Sequence, residues 1–190
     1  MDFYAFSAHK AFGPTGIGAL YIRRELMDAM PCWVGAANVV DELPEVDIRY
    51  APAPGRFEAG TPDVAGALGL AAALEYLQAI GMEAIAAHER DLLAYARDRL
   101  LRLPGLRLIG NAVDKIAIQS FVLDGRRPED VRARLAHAGI EVQAGRFSAQ
   151  PLFECLGIAA AVRLSLAFYN TRADIDALID ALAETSDAAR

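Results

Sequence analysis

The sequence predicts an α/β fold that divides near Gly81 into two parts, and three observations lead to this prediction. The chain of 190 residues is 54% hydrophobic and 23% charged, which is enough apolar surface for a packed core. Before Gly81, two strand patterns and one apolar helix pattern flank a long irregular connection. After Gly81, a helix is followed by the order β, β, α, β, β, α, which describes a self-sufficient α+β unit. The first part has too few elements to bury its own faces, so we expect it to be the end of a larger α/β domain.

The first part begins with two predicted strands, Phe3–Ser7 and Ile17–Ile22, which are rich in aromatic and β-branched residues. The tetrapeptide Ser-Ala-His-Lys and a glycine-rich loop separate them. Residues 31–62 carry proline and glycine throughout, which predicts an irregular connection. A connection of this length inside a compact domain usually has a function.

The helix that follows is predicted to run from Asp63 to Ile80 and to end at Gly81. Thr61 and Pro62 suit its N-cap and its first helical position. The helix consists almost entirely of alanine, leucine and glycine, so we expect it to be buried on most sides.

The second part opens with a predicted helix over Glu83–Leu103, which Pro104 and Gly105 end. One side of this helix is charged. The opposite side carries apolar residues at helical spacing, namely Ile85, Leu92, Leu93, Ala96 and Leu100. We therefore expect the apolar side to face the core of the second part.

Four strands and two further helices are predicted downstream. The strand patterns cover Leu106–Ile109, Ile116–Leu123, Ile140–Gln143 and Ala161–Tyr169. The last of these alternates, with Val162 and Leu164 on one face and Arg163 on the other. Pro128 begins a helix that Gly139 ends. Thr171 and Asp174 form a capping-box pattern for the final helix, whose apolar stripe is Ile175, Leu178, Ile179 and Leu182.

The composition argues against several classes of function. A net charge of −6 disfavours nucleic-acid binding, because phosphate contacts need clustered lysine and arginine. No apolar run is long enough to span a bilayer and no cleavable signal precedes the first strand, so we expect a cytoplasmic protein. Cys32 and Cys155 form no CxxC pair and the histidines are scattered, which disfavours a zinc site and a disulfide framework.

Lys10 is the first candidate for chemistry. An amine attacks an aldehyde only when it is unprotonated, and pyridoxal phosphate chemistry needs such a lysine together with donors for the phosphate. Ser7 and His9 are close enough in sequence to supply those donors, and the glycines of the loop let the backbone approach a ligand. The segment is neither a Walker loop nor a dinucleotide fingerprint. The residues alone also allow a solvated lysine at a strand end.

Three segments, in order, resemble the class V aminotransferase family, and most closely its Suf-type (group II) cysteine desulfurases. They are DFYAFSAHKAFGPTGIGALYIRRELM at residues 2–27, RFEAGTPDVAGALGLAAALEYLQAIGM at residues 56–82 and VRLSLAFYNTRADIDALIDAL at residues 162–182. The resemblance implies the C-terminal portion of a fold type I transferase dependent on pyridoxal 5'-phosphate. It assigns residues 1–81 to the end of the large cofactor-binding domain and residues 82–190 to a small α+β domain. The family reaction converts L-cysteine to L-alanine and passes sulfur to iron–sulfur cluster assembly.

The resemblance also implies site residues. Lys10 matches the lysine that holds the cofactor covalently and moves the Cα proton, and Ser7 and His9 match residues that hold its phosphate. Thr61 matches a threonine that reaches the cofactor of a neighbouring subunit, which implies a homodimer with shared sites; a helix N-cap is the other interpretation. Arg163 matches the arginine that binds the substrate carboxylate, whereas the sequence alone favours a structural salt bridge.

The sequence departs from the desulfurase pattern at its nucleophile. Ser148 occupies the position of the cysteine whose thiolate takes the substrate sulfur, and a hydroxyl cannot take it as a persulfide. Gln143 replaces an arginine before this loop, and Arg146 and Phe147 replace common histidines. Cys155 follows in an apolar context, so we expect a buried small hydrophobe there rather than a displaced nucleophile.

The resemblance further implies a ring-stacking histidine, an aspartate for the pyridine nitrogen and a phosphate-binding turn, all before the cofactor lysine. Only nine residues precede Lys10, so we expect these groups to come from a chain that supplies the N-terminal half. The alternative is a catalytically inactive homologue or a non-catalytic interaction module. We also expect poor solubility of the isolated chain, because the first two strands would expose apolar edges.

Overall fold

A computed structural model describes residues 1–44 and 46–187. The chain divides into two compact units, the first over residues 1–80 and the second from Gly81 onward. Both contain helices and strands. Among the described residues, no single helix is both long and apolar enough to cross a membrane.

The first unit contains two small antiparallel sheets, each of two strands. Strands β1 and β2 pair along their whole length, with Ser7 opposite Gly18. A short helix, not predicted from the sequence, follows β2. The elements are β1 (Phe3–Ser7), β2 (Gly18–Ile22), α1 (Arg24–Ala29), β3 (Val40–Glu42), β4 (Arg49–Tyr50) and α2 (Val64–Ile80).

Helix α2 corrects two predictions. Its N-cap is Asp63 rather than Thr61, because the Asp63 carboxylate accepts a hydrogen bond from the Gly66 amide at 2.9 Å. The helix is also far less buried than its composition predicts: only Gly66, Leu70 and Leu77 are buried. The small sheets of this unit offer too little surface to cover an apolar helix on all sides.

The second unit is built on a four-stranded antiparallel sheet in the order β5–β6–β8–β7. Its core combines apolar residues of this sheet with those of three helices, α3, α4 and α6. Phe121 of the sheet is fully buried. The elements are α3 (Met82–Leu101), β5 (Leu106–Ile109), β6 (Ile118–Leu123), α4 (Pro128–His137), β7 (Gln143–Gly145), α5 (Gln150–Cys155), β8 (Ala161–Ser165) and α6 (Arg172–Asp187).

The periodicity of the sequence correctly predicted the buried faces of this unit. The buried residues of α3 are the five expected apolar ones. Val162 and Leu164 on β8 are buried, whereas Arg163 between them is partly exposed. The capping box at the start of α6 is confirmed, because the Thr171 amide donates to the Asp174 carboxylate at 2.9 Å.

Two predicted strands differ most from the structure, one at its start and the other at its end. Ile140 is not in a strand, because its amide donates to the Leu135 carbonyl at 2.9 Å and closes the end of α4. Strand β7 therefore begins only at Gln143. Strand β8 ends at Ser165, since the Ala167 amide turns away to donate to the Asn170 side chain at 2.9 Å.

A polar network on the surface joins α3 to α6. The Tyr95 hydroxyl donates to Asp176 at 2.7 Å, and this hydrogen bond raises the pKa of Tyr95 above its usual value. Arg99 pairs with the same carboxylate at 3.1 Å. The guanidinium groups of Arg99 and Arg172 lie 5.9 and 5.0 Å from the centre of the Tyr95 ring. The network fixes the last helix against the first helix of the unit.

Candidate functional site

The candidate lysine lies on a single tight turn that directly follows β1. Residues Ala8–Lys10 form one turn of 3₁₀ helix, in which Ala8 is buried while His9 and Lys10 are exposed. Ser7 stands at the N-cap position, and its hydroxyl makes no capping hydrogen bond. An amine, an imidazole and a hydroxyl without a capping role are therefore grouped within four consecutive residues.

The glycine-rich loop after Lys10 wraps around the buried Ala8. The Ala8 carbonyl accepts hydrogen bonds from the amides of Ala11 and Gly13 at 2.8 and 2.9 Å. The Ala8 amide in turn donates to the Ile17 carbonyl at 3.0 Å. Gly13 is needed at this place, because a Cβ there would lie only 3.2 Å from the Ala8 Cβ.

Two glycines of α2 receive the same loop. A Cβ at Gly66 would approach the Ile17 Cβ to 3.2 Å, and a Cβ at Gly69 would approach the Pro14 Cγ to 3.0 Å. The two glycines lie three residues apart and thus on one side of the helix. These two glycines therefore allow α2 to lie close to the lysine loop.

Thr61 is exposed and lies in a loop held by Asn38. The Asn38 amide nitrogen donates to the carbonyls of Glu58 and Gly60 at 2.7 and 3.1 Å, and its oxygen accepts from the Gly60 amide at 2.8 Å. These residues border a cavity of about 360 Å³ that is lined by Ala37, Asn38, Gly60, Thr61 and Pro62. Within the described residues, no hydrogen bond joins Thr61 to the turn that carries Lys10.

Ser148 lies in a tight turn with an unusual backbone. The Ala149 amide donates to the Arg146 carbonyl at 2.9 Å, which closes a turn over residues 146–149. The two central residues, Phe147 and Ser148, have φ values of +50° and +57°. Two successive left-handed residues are typical of a type I′ turn, which usually carries glycine or asparagine at these positions. Non-glycine residues in this conformation are concentrated at functional sites.

Arg163 lies on β8 in the middle of the sheet, opposite Ser120 on one side and Gln143 on the other. Its Nε atom is buried and has no hydrogen-bond partner. Nor does any carboxylate in the described part of the chain form a salt bridge with Arg163. The structural salt bridge that the sequence alone favoured is thus absent there. A buried nitrogen without a hydrogen-bond partner carries a desolvation cost.

Phe147 connects Arg163 to the Ser148 turn. The Arg163 guanidinium lies over the Phe147 ring, with Cζ 5.1 Å from the ring centre. Phe147 also packs edge-on against the buried Phe153, with ring centres 5.8 Å apart. Arg146 fastens the other side of the turn, because its Nε donates to the Ala159 carbonyl at 2.9 Å. Ser148 is left exposed next to a firmly held ring.

The environment of Cys155 corrects another prediction. Cys155 is exposed at the end of α5 and is not a buried hydrophobe. Its apolar neighbours in sequence lie in a short helix, in which only Phe153 is buried. Cys32 is partly buried, and its thiol donates to the Val34 carbonyl at 3.2 Å.

Several residues that shape the candidate site were missed at the level of sequence. Asp63 could have been identified, because an aspartate directly before an apolar helix is a common N-cap. Asn38 acts on the loop of Thr61 from 20 to 22 residues away, so no local pattern marks it. Phe153 is near Phe147 in sequence, but no motif marks the contact between the two rings.

Comparison with known proteins gives consistent matches. The family model for aminotransferase class V matches residues 1–178. A cysteine desulfurase of Synechococcus elongatus is 49% identical over 181 residues, which are 95% of this chain and 29% of that protein. A probable cysteine desulfurase of Streptomyces coelicolor is 46% identical over 183 residues, 95% of this chain and 44% of that protein. The chain thus spans less than half the length of these relatives.

Solved structures agree with these matches. The cysteine desulfurase CsdA of Escherichia coli superposes with a TM-score of 0.93 at 40% identity, over 99% of this chain and 47% of that one. The apo cysteine desulfurase of Thermococcus onnurineus gives a TM-score of 0.93 at 33% identity, over 98% and 47% of the two chains. The predicted fold class, a portion of a fold type I enzyme, is therefore confirmed. On this evidence of sequence and fold, the chain belongs to the aminotransferase class V family.

Proposed function

We propose that this chain provides part of the active site of a pyridoxal-phosphate-dependent enzyme that acts on the Cα of a small amino acid. The observation that carries the proposal is the state of Arg163. Its guanidinium is partly buried, its Nε has no partner, and the described residues contain no carboxylate that neutralises it. A substrate carboxylate supplies the negative charge that this guanidinium lacks, since arginine binds carboxylates through a planar, bidentate fork.

The residues of the first unit fit the cofactor. Lys10 offers an exposed amine, and the Ser7 hydroxyl and His9 imidazole on the same turn suit a phosphate. Bound pyridoxal phosphate would supply an electron sink for bonds at the substrate Cα. In this proposal Lys10 holds the cofactor and carries the Cα proton, while Ser7 and His9 orient the phosphate.

Ser148 determines which reaction is compatible with the site. A serine hydroxyl is not ionised near neutral pH and does not accept sulfur as a thiolate does. We therefore propose that the native chain forms no persulfide at this position. Desulfuration by another route, elimination of the kind catalysed by selenocysteine lyases, racemisation and transamination all remain compatible with Lys10 and Arg163.

We further propose that the working enzyme is an assembly in the cytoplasm. Thr61, exposed beside its cavity, would reach the cofactor phosphate of a second subunit in a homodimer. The alternative partner in this proposal is a chain that supplies the N-terminal half of the site. A role in iron–sulfur cluster assembly is the family-level expectation.

The test is to expose the purified chain to pyridoxal phosphate, reduce it with borohydride and map the adduct by peptide mass. The chain contains only two lysines, so Lys115 is a built-in reference. Burial, and then the neighbouring Arg97, lower the pKa of Lys115. A larger fraction of this amine is therefore unprotonated, so labelling that depends only on general amine reactivity should also appear on Lys115. We expect stoichiometric label on Lys10, its loss in Lys10→Ala and little label on Lys115. Label on Lys115 and the N-terminal amine alone would instead favour an inactive homologue or an interaction module.

A further inference from the structure

We propose that Phe147 is a positioning residue that holds the Arg163 guanidinium ready to bind a single carboxylate end-on. This inference rests on the proposed function, because it concerns the carboxylate site of that enzyme. What is new relative to the proposed function is that Phe147, a residue without a polar side chain, sets the orientation of the Arg163 guanidinium.

The first argument is mechanical. An arginine side chain has four rotatable bonds, so a guanidinium without polar partners needs another restraint to keep one orientation. Arg163 receives that restraint from the face of the Phe147 ring at 5.1 Å. Phe147 is itself held edge-on by Phe153, whose exposed fraction is only 4%. The support therefore runs from the core of the unit to the guanidinium.

The second argument concerns which nitrogens remain available. The Nε atom of Arg163 is buried, so a carboxylate cannot use the side-on edge of the guanidinium that includes Nε. The two terminal nitrogens remain, and they form the end-on fork. The Phe147 ring lies on one side of the guanidinium, with Cζ 5.1 Å from the ring centre, which leaves the end-on fork as the edge for a carboxylate.

The third argument links this contact to Ser148. Phe147 and Ser148 are the two left-handed residues of one turn, so a change in the backbone of this turn moves both the Phe147 ring and the Ser148 hydroxyl. The Arg146 bond to the Ala159 carbonyl keeps the turn in place from the other side. The contact of Phe147 with Arg163 and the position of the Ser148 hydroxyl therefore depend on the same turn.

The test follows the Nε–Hε resonance of Arg163 by ¹⁵N NMR, assigned with Arg163→Lys, while L-alanine is added. Alaninamide, which lacks the carboxylate, is the matched control ligand. We expect L-alanine but not alaninamide to shift the resonance, and Phe147→Leu to weaken L-alanine binding about tenfold. Phe147→Tyr keeps the aromatic face and should retain affinity within about threefold. The backbone amide spectrum checks that each variant is folded.

The outcomes separate the two proposals. Equal affinity in the native chain and in Phe147→Leu would overturn the role of Phe147 and leave the carboxylate site intact. Loss of affinity in Phe147→Tyr as large as in Phe147→Leu would also overturn it, since the aromatic face is then irrelevant. A native Arg163 resonance that does not respond to L-alanine would refute the carboxylate site, and with it the proposed function.

Discussion

Gly66 of helix α2 lies so close to Ile17 of the lysine loop that even a methyl group at position 66 would crowd it. A Cβ at position 66 would come to 3.2 Å from the Ile17 Cβ and would also collide with the Asp63 carboxylate that caps the helix. The loop that follows Lys10 is thus held against a helix N-terminus, and a glycine makes the contact possible.

We predict that Gly66→Ala destabilises the first unit although alanine is the better helix former. The gain in helix propensity is about 1 kcal/mol. Against it stand loss of the Asp63 cap, about 1 kcal/mol, and overpacking against Ile17, about 1–3 kcal/mol. We expect a net loss of about 1–3 kcal/mol in urea unfolding, together with faster hydrogen exchange of the Ala8 amide. Ala72→Gly, on an exposed part of α2, measures the difference in helix propensity between alanine and glycine without a packing change. A more stable Gly66→Ala variant would contradict the close contact.

Asn38 provides the second prediction, because this one side chain makes three hydrogen bonds to the segment before Thr61. Asn38→Ala should cost about 1–3 kcal/mol and expose this segment. The measurement is limited trypsin digestion, with cleavage after Arg56 expected to accelerate. Asn38→Asp keeps the acceptor for the Gly60 amide but loses both donors. Its cleavage rate should therefore lie between that of the native chain and that of Asn38→Ala. Unchanged cleavage in Asn38→Ala would show that the loop is held by other contacts.

The sequence predicted much of the second unit because its elements have one buried side. Helix α3 and strand β8 repeat apolar residues at periods of helix and strand, and those residues are the buried ones. Helix α2 lacks this contrast, since it is apolar on every side, and its exposure could not be inferred. Helices α1 and α5, each six residues long, are too short to show a period.

The candidate site was predictable only where chemistry lies in consecutive residues. Ser7, His9 and Lys10 form one turn and were identified together. The partners of Arg163 lie elsewhere in the chain: the strand pairing of β7 and β8 and a turn of left-handed residues bring Phe147 to it. Neither the sign of φ at a non-glycine residue nor a contact across a sheet is encoded in a local pattern.

The backbone at Ser148 gives a third prediction. A non-glycine residue with φ of +57° is strained, whereas glycine adopts this conformation freely. Ser148→Gly should therefore stabilise the second unit by about 0.5–1 kcal/mol, after allowance for the greater flexibility of glycine in the unfolded chain. Urea unfolding measures the change. Ser165→Gly is a matched control at an exposed serine in a strand, where we expect destabilisation instead. A destabilised Ser148→Gly variant would mean that the hydroxyl stabilises the turn.

Asp174 makes the stability of the second unit depend on pH. The Thr171 amide, and then the Asn170 side chain, donate to the Asp174 carboxylate and lower its pKa. The pKa of Asp174 is lower in the folded than in the unfolded protein. The stabilisation that Asp174 provides is therefore complete above the unfolded pKa and is lost as the pH falls through the folded pKa. In Asp174→Asn the acceptor remains but the titration is removed. We expect the native chain to lose more stability than this variant between about pH 6 and about pH 3. Parallel pH profiles would exclude Asp174 as a source of the acid sensitivity.

Restoring a thiol tests whether Ser148 alone separates this chain from a desulfurase. Ser148 is exposed in a turn beside Phe147, and Arg163 lies over the same ring. A cysteine thiol has a pKa of about 8.5, so a fraction is ionised near neutral pH and is able to take up sulfur. If the residues of this chain suffice for cysteine chemistry, then after incubation with pyridoxal phosphate and L-cysteine Ser148→Cys should gain the mass of one sulfur atom on the introduced thiol, while the native chain gains none there. Cys155→Ser in both backgrounds removes the second exposed thiol.

Dependence on Lys10 decides the interpretation of this experiment. If the added sulfur disappears when Lys10→Ala is combined with Ser148→Cys, the cofactor site is competent and the native chain lacks only the thiol. If sulfur is added equally with and without Lys10, it comes from direct thiol exchange. If no sulfur is added at all, the residues of this chain do not suffice for cysteine chemistry and the inactive homologue becomes the better description. Detection of added sulfur on the Ser148 peptide of the native chain would contradict the argument that a hydroxyl cannot accept sulfur.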